Sequence, residues 1–361
     1  MKTVIELNEN ILAITNIIRE KHPELVKYLN EMPLTVPYAE NPDIAFKTLN
    51  SYYSSLETLL TDTKVNYQGN KHELQEIHLP AAEIVKMELN NTYQNLFAEV
   101  NNITISYNDA GEGSVPVIFL HGYPFDKTMW HLQLDYLKSS HRVIAYDVRG
   151  FGRSTDEESP LSIDLFAKDL LLFMDKLNIK KAVLCGLSMG GFIALNAAKK
   201  NPERFEALIL CDTQCIADTP EVKEKRYQTI EQIKLNGATS FNEAFVKSVF
   251  LADTLANKKE LVETIRDVVF ANSPAVIIAG LTALATRAET CSSLEAIHIP
   301  TLIICGREDL VTPIAQSEFM HEHIKGSSLN VIDNAGHVSN LEQPDDFNMY
   351  LHDFLYKLLS P

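Results

Sequence analysis

The chain has 361 residues, 45% of them hydrophobic and 22% charged, the composition of a folded protein able to bury a sizeable core without disulfide or metal staples. Its 32 Lys+Arg against 48 Asp+Glu leave a formal net charge of −16, a field that repels phosphate backbones and anionic lipid, so neither nucleic acid nor a membrane surface is an expected partner. No stretch approaches the ~18 apolar residues of a membrane span.

The opening Met1-Lys2-Thr3-Val4-Ile5-Glu6 has an acidic residue where a secretory leader needs a basic flank and an apolar run, which predicts a cytoplasmic chain. Five cysteines (Cys185, Cys211, Cys215, Cys291, Cys305) show no Cys-x-x-Cys and no Cys/His ligand spacing. Buried, reduced thiols and no metal are therefore expected. Of the 14 glycines only Gly69 lies in residues 1–95, and that first part reads helical. Ile11, Ile14 and Ile18 share one face, Pro23 opens a second pattern through Leu25, Val26 and Leu29, and Leu49, Tyr52 and Leu56 mark a third. Residues 1–94 thus read as a helical module plus linker, carrying no catalytic motif. Their apolar faces need a partner surface, either the rest of the chain or a second copy in a homo-oligomer.

From residue 95 the pattern changes. Residues 95–100 and 103–107 alternate like a hairpin. Short continuous apolar runs follow at Val117–Leu120, Val143–Tyr146, Ala182–Cys185, Leu208–Cys211, Leu302–Cys305 and Leu329–Ile332, as strands buried on both faces require. Helical patterns fall between them, around 129–138, 163–177, 189–200, 313–325 and 344–359. Alternation of this kind predicts an α/β fold: a doubly wound, mostly parallel sheet over 95–361. A mostly helical stretch, 214–295, interrupts the rhythm and reads as an inserted cap over the carboxyl edge of the sheet, where open sheets bind ligands.

The sharpest signal is Gly186-Leu187-Ser188-Met189-Gly190-Gly191, placed between a strand and a helix. A nucleophile on so sharp a turn needs neighbours without bulk at −2 and +2, and the helix N-terminus behind it favours a developing oxyanion. A serine hydroxyl is inert without a base and an orienting acid. Asn334-Ala335-Gly336-His337 and Gly306-Arg307-Glu308-Asp309 each follow a late strand, which makes His337 the candidate base and Asp309 the candidate acid. Glu308 and Asp212 are rival carboxylates, Asp212 being read as a structural loop residue. His121-Gly122-Tyr123-Pro124 follows the strand Val117–Leu120 and would complete an oxyanion hole from the backbone N–H groups of Tyr123 and Met189. His121, Trp130 and Arg287 are candidate substrate contacts. For Trp130 core packing is favoured, and for Arg287 a salt bridge. His321-Glu322-His323 would point its two histidines apart on a helix.

These motifs, together with Asp147-Val148-Arg149-Gly150-Phe151-Gly152-Arg153-Ser154, resemble the α/β-hydrolase superfamily with a Ser-Asp-His triad. Gly186–Gly191 and Asn340-Leu341-Glu342-Gln343-Pro344 are similar to 3-oxoadipate enol-lactonase-like esterases and cofactor-free haloperoxidase-type members. The resemblance covers 95–361 and does not extend to 1–94. It implies a serine hydrolase that cleaves a small ester, lactone or thioester through an acyl-Ser188 intermediate without a cofactor. Haloperoxidase or perhydrolase chemistry on the same triad is one alternative, and a non-catalytic binding protein on the same fold is another. Relatives with an aspartate nucleophile, the dehalogenases and epoxide hydrolases, are disfavoured because Ser188 holds that position.

Overall fold

The chain reverses at Asn101-Asn102, whose φ of 48° and 62° lie in the left-handed region that asparagine tolerates better than most residues. The reversal pairs β1 (Leu96–Val100) antiparallel with β2 (Ile103–Ala110). The computed structural model describes residues 95–156 and 160–359. The helical segment read at 1–94 lies outside the described residues. Beyond the hairpin, β3 (Val117–Leu120), β4 (Val143–Tyr146), β5 (Ala182–Leu187), β6 (Phe205–Cys211), β7 (Thr301–Gly306) and β8 (Ser328–Ile332) are parallel to one another. β2 joins them antiparallel to β4, and the eight strands lie in the order β1-β2-β4-β3-β5-β6-β7-β8.

Strand pleating sends alternate residues to opposite faces, and both faces are covered. Ile118, Leu120, Ile144, Tyr146, Leu184, Leu208 and Ile303 pack on one side with Phe166, Leu170 and Phe173 of α2 (Ile163–Lys176) and with α3 (Met189–Lys200). Phe119, Val143, Ala145, Val183, Ile209 and Ile304 pack on the other with Trp130, with Leu134 of α1 (His131–Leu137), and with Phe347, Leu351 and Leu355 late in the chain. Apart from the edge strand β8, whose residues are mostly half-buried, the continuous apolar runs are thus strands with no solvent face. Truncating a fully buried Phe173 or Phe347 to alanine would cost about 3–5 kcal/mol.

Between β6 and β7 the chain passes through five helices: α4 (Pro220–Asn236), α5 (Thr239–Val249), α6 (Ala252–Asn257), α7 (Lys259–Ala271) and α8 (Pro274–Thr286). Pro220 and Pro274 sit in the first turns of α4 and α8, capped by the hydroxyls of Thr219 and Ser273, where the missing N–H costs nothing. The segments that leave and re-enter the sheet meet at the base of this insertion, where Thr290 N–H donates to Cys215 O at 2.8 Å. There Cys215 and Cys291 are disulfide-bonded, 4.8 Å apart at Cα. This corrects the expectation of five reduced thiols. Cys185, Cys211 and Cys305 are free and buried, but the 76-residue separation of the bonded pair hides their contact from any local pattern. After β7 come α9 (Ile314–His323), β8, α10 (Ser339–Glu342) and α11 (Pro344–Leu359). Among the described residues no single helix is long and apolar enough to cross a membrane.

Candidate active site

Ser188 follows β5 directly and is the N-cap of α3, with φ 54° and ψ −113°. A non-glycine residue held there stores about 1–3 kcal/mol of strain, which the surroundings must over-determine. They do so by close approach. A Cβ on Gly186 would lie 2.3 Å from Gly190 O, and one on Gly190 would lie 2.1 Å from Leu120 O, so no side chain fits at either position. Hydrogen bonds hold the turn from β6: Ser188 N–H donates to Cys211 O at 2.9 Å and Thr213 Oγ1 donates to Ser188 O at 2.8 Å. Gly191 N–H also donates to Ser188 O. Met189, as the first helical residue, has an N–H with no intrahelical acceptor.

Asp309 and His337 sit on the two loops that follow β7 and β8, and the structure joins them. His337 Nδ1 lies 2.8 Å from Asp309 Oδ2, and both side chains are buried. The carboxylate is further fixed by the N–H groups of Val311 and Thr312 and by Thr312 Oγ1 at 2.7 Å. Burial alone would raise the Asp309 carboxyl, but the His337 charge and these hydrogen bonds override it and hold the group below the usual carboxylate range. Burial alone would likewise lower His337, but Asp309 overrides it, aided by Asp212 and Glu342, and makes the imidazole more basic than usual. The Ser188 hydroxyl makes no hydrogen bond to His337. Such bonds commonly tighten only once a substrate is in place.

The rival carboxylates are engaged elsewhere. Glu308 Oε2 accepts Ala335 N–H at 3.2 Å. Asp212, at the end of β6, accepts Gly306 N–H at 2.7 Å and the Ser339 hydroxyl at 2.5 Å. Burial first, and then the Asp309 charge, push Asp212 up to about 8.

The loop after β3 places Tyr123 next to Gly122, its ring within 5.9–6.4 Å of Phe151 and of Phe241 and Phe245 on α5. Its hydroxyl donates to Ile277 O at 2.9 Å.

The structure corrects the three candidate substrate contacts, and for Trp130 and Arg287 it shows the core packing and the salt bridge that the sequence favoured. His121 is fully buried, its Nδ1 paired with Gly122 O at 2.8 Å and its Nε2 accepting Val148 N–H at 2.9 Å, so neither ring nitrogen can meet a ligand. Trp130 is fully buried between Phe119 and Phe347. Arg287 is buried in an ion pair with Asp218 at 2.7 Å and lies over the Phe192 ring. His321 and His323 pair separately, with Ser327 Oγ and Phe319 O.

Sequence reasoning missed Thr312 and Glu342. Glu342 is fully buried and accepts Gly336 N–H at 2.6 Å and Leu251 N–H at 2.9 Å, so it fixes the backbone beside His337. The signal was the Asn340–Pro344 motif, which carries structural as well as family information. Asn340 Nδ2 reaches Met129 O, and Gln343 Nε2 reaches Asn334 O.

A parallel sheet crossed by a strained serine turn, with a buried Asp–His pair on the next strand ends, defines the class of α/β proteins built for nucleophilic chemistry. The chain belongs to the alpha/beta hydrolase fold family, whose sequence profile it matches over residues 115–344. It is 32% identical over 248 residues to 3-oxoadipate enol-lactonase 2 of Acinetobacter baylyi, covering 68% of this chain and 91% of that protein. It is 31% identical to a putative non-heme chloroperoxidase of Synechocystis sp., covering 70% and 95%. Among solved structures, a thermophilic esterase from Thermogutta terrifontis superposes with a TM-score of 0.70 at 33% identity, covering 73% of this chain and 99% of that one.

Proposed function

We propose that the protein is a serine hydrolase that cleaves a small carboxylic ester, lactone or thioester through an acyl-enzyme on Ser188. As the Ser188 oxygen attacks the substrate carbonyl, His337 Nε2 takes its proton, and Asp309 holds Nδ1–H and stabilises the imidazolium. The N–H groups of Met189 and Tyr123 receive the developing oxyanion, aided by the positive end of α3. His337 then protonates the leaving group. Water, deprotonated in turn by His337, releases the acid. The aromatic rings around Tyr123 favour an apolar acyl group. The observation that carries this reading is the buried Asp309–His337 hydrogen bond at the same carboxyl edge of the parallel sheet as a serine turn with no room for side chains at Gly186 and Gly190. The enol-lactonase and esterase relatives support the substrate class. A panel of p-nitrophenyl esters of graded chain length tests it. Turnover of the short esters that disappears in Ser188→Ala is expected, and turnover that persists in that variant contradicts the reading.

The chloroperoxidase relative favours one second reading. Hydrogen peroxide could replace water at the acyl-enzyme, giving a peracid and free Ser188 with the same residues. Halogenation that requires peroxide and a carboxylic acid would separate the two.

A further inference from the structure

One short segment, Cys211-Asp212-Thr213, touches all three loops of the candidate site. Cys211 O and Thr213 Oγ1 hold the Ser188 turn. Between them, Asp212 turns away at φ 43° and sends its carboxylate to the other two loops. Oδ1 accepts the N–H of Gly306, three residues before Asp309, and Oδ2 accepts the hydroxyl of Ser339, two residues after His337. Asp212, Ser339, Asp309 and His337 are all buried, so water cannot stand in for either bond. A buried carboxylate is costly unless it is hydrogen-bonded, and here its partners are the two loops whose spacing sets the Asp309–His337 contact.

Resting on the acyl-transfer reading above, we propose that Asp212 is a positioning residue that clamps the Asp309 loop to the His337 loop and keeps both in register with Ser188. The charges around it come from several elements. Asp309 follows β7, His337 follows β8, Glu342 lies on α10, and the thiols of Cys211 and Cys305 flank it on β6 and β7. Burial pushes the Asp212 carboxyl up to about 8, so its part in the site is geometric: it holds two backbone segments together. Asparagine can reproduce that geometry, its oxygen accepting Gly306 N–H and its amide donating to Ser339. Alanine can reproduce neither bond.

The test compares the full-length wild type with Asp212→Ala, Asp212→Asn and Ser339→Ala, using p-nitrophenyl acetate over a range of pH. Asp212→Ala should lower kcat about 100-fold with KM nearly unchanged, the effect of a misplacement of about 1 Å. Asp212→Asn should recover most of that loss. Ser339→Ala, which removes one oxygen and leaves the Gly306 bond intact, should lose about tenfold and keeps the test open if Asp212→Ala does not fold. An Asp212→Ala enzyme with wild-type kcat, a loss that appears in KM rather than in kcat, or a loss that asparagine does not recover overturns the proposal. The wild type's reaction with a fluorophosphonate reports separately on acyl transfer. No reaction at Ser188 overturns both readings, whereas a reactive wild type with an indifferent Asp212→Ala overturns this one alone.

Discussion

Ser188 is an ordinary hydroxyl in a strained backbone, and the nucleophilic role proposed for it depends on His337 as the base. That dependence gives two predictions at the residue scale. Ser188→Ala and His337→Ala should each abolish ester hydrolysis, and Asp309→Asn should lower kcat by roughly 10⁴-fold, since removing the acid disturbs the imidazole tautomer. Steady-state kinetics at saturating ester measures all three, and an Asp309→Asn enzyme within tenfold of wild type would return the acid role to another carboxylate. The second prediction concerns pH. The base must be neutral to accept a proton, so activity is lost as pH falls through the His337 pKa. Asp309 holds that pKa above its ordinary value, while Asp309 itself stays ionised through the same range because its carboxyl is depressed. The acid limb of kcat/KM should therefore be centred above about 6.5. A limb centred near 4 would point to a carboxylate as the titrating base. The residues proposed to carry this chemistry stood out in the sequence because each follows an apolar strand run in a fixed order, and the structure places them at strand ends. Thr312 and Glu342 did not, because they act through bonds to backbone and carboxylate that only the folded loops create.

At the scale of elements, the strands after the hairpin were the most legible part of the chain. A continuous apolar run such as Val117–Leu120 has one physical explanation when both of its faces are buried, and the structure buries all four residues. The turn into α3 was legible for a different reason: only glycine fits where backbones nearly touch. Gly190→Ala should therefore cost about 1–3 kcal/mol or more, because its Cβ would meet the Leu120 carbonyl rather than a side chain that could move. A melting temperature equal to wild type would show that the elbow relaxes freely. The base of the five-helix insertion was illegible, since the Cys215–Cys291 bond joins residues distant in sequence. That bond also sits uneasily with a cytoplasmic setting, where thiols are kept reduced. Cys215→Ser should lower stability by about 2–4 kcal/mol under non-reducing conditions and by much less in the presence of a reductant. Denaturant unfolding with and without dithiothreitol measures the difference, and equal curves would mean that the bond contributes nothing. Arg287 shows a related limit. The salt bridge favoured for it is present, but its partner, Asp218, stands 69 residues earlier and no local pattern names it.

For the whole molecule, the residues placed in the candidate site all lie within 121–342, and none falls in 1–94. Deleting 1–94 should thus leave turnover of small activated esters within about tenfold, or ~1.4 kcal/mol of barrier. The apolar faces read in that segment predict a lower melting temperature or an altered oligomeric state on its removal. Size-exclusion chromatography with scattering and a thermal melt, run beside the esterase assay, would check both. A folded but inert truncation would mean that 1–94 helps to shape the site. The substrate itself was not legible in the sequence, because the side chains packed around Tyr123, such as Phe241 and Phe245, come from far along the chain.

Covalent labelling reads whether Ser188 is a nucleophile activated by His337 without knowledge of the natural substrate. The full-length protein is incubated with a fluorophosphonate, digested, and mapped by mass spectrometry. The account predicts one phosphonylated site, Ser188, with labelling that slows as pH falls through the His337 titration and is absent in His337→Ala. Labelling at another residue, or labelling of Ser188 that is equally fast in His337→Ala, would contradict it.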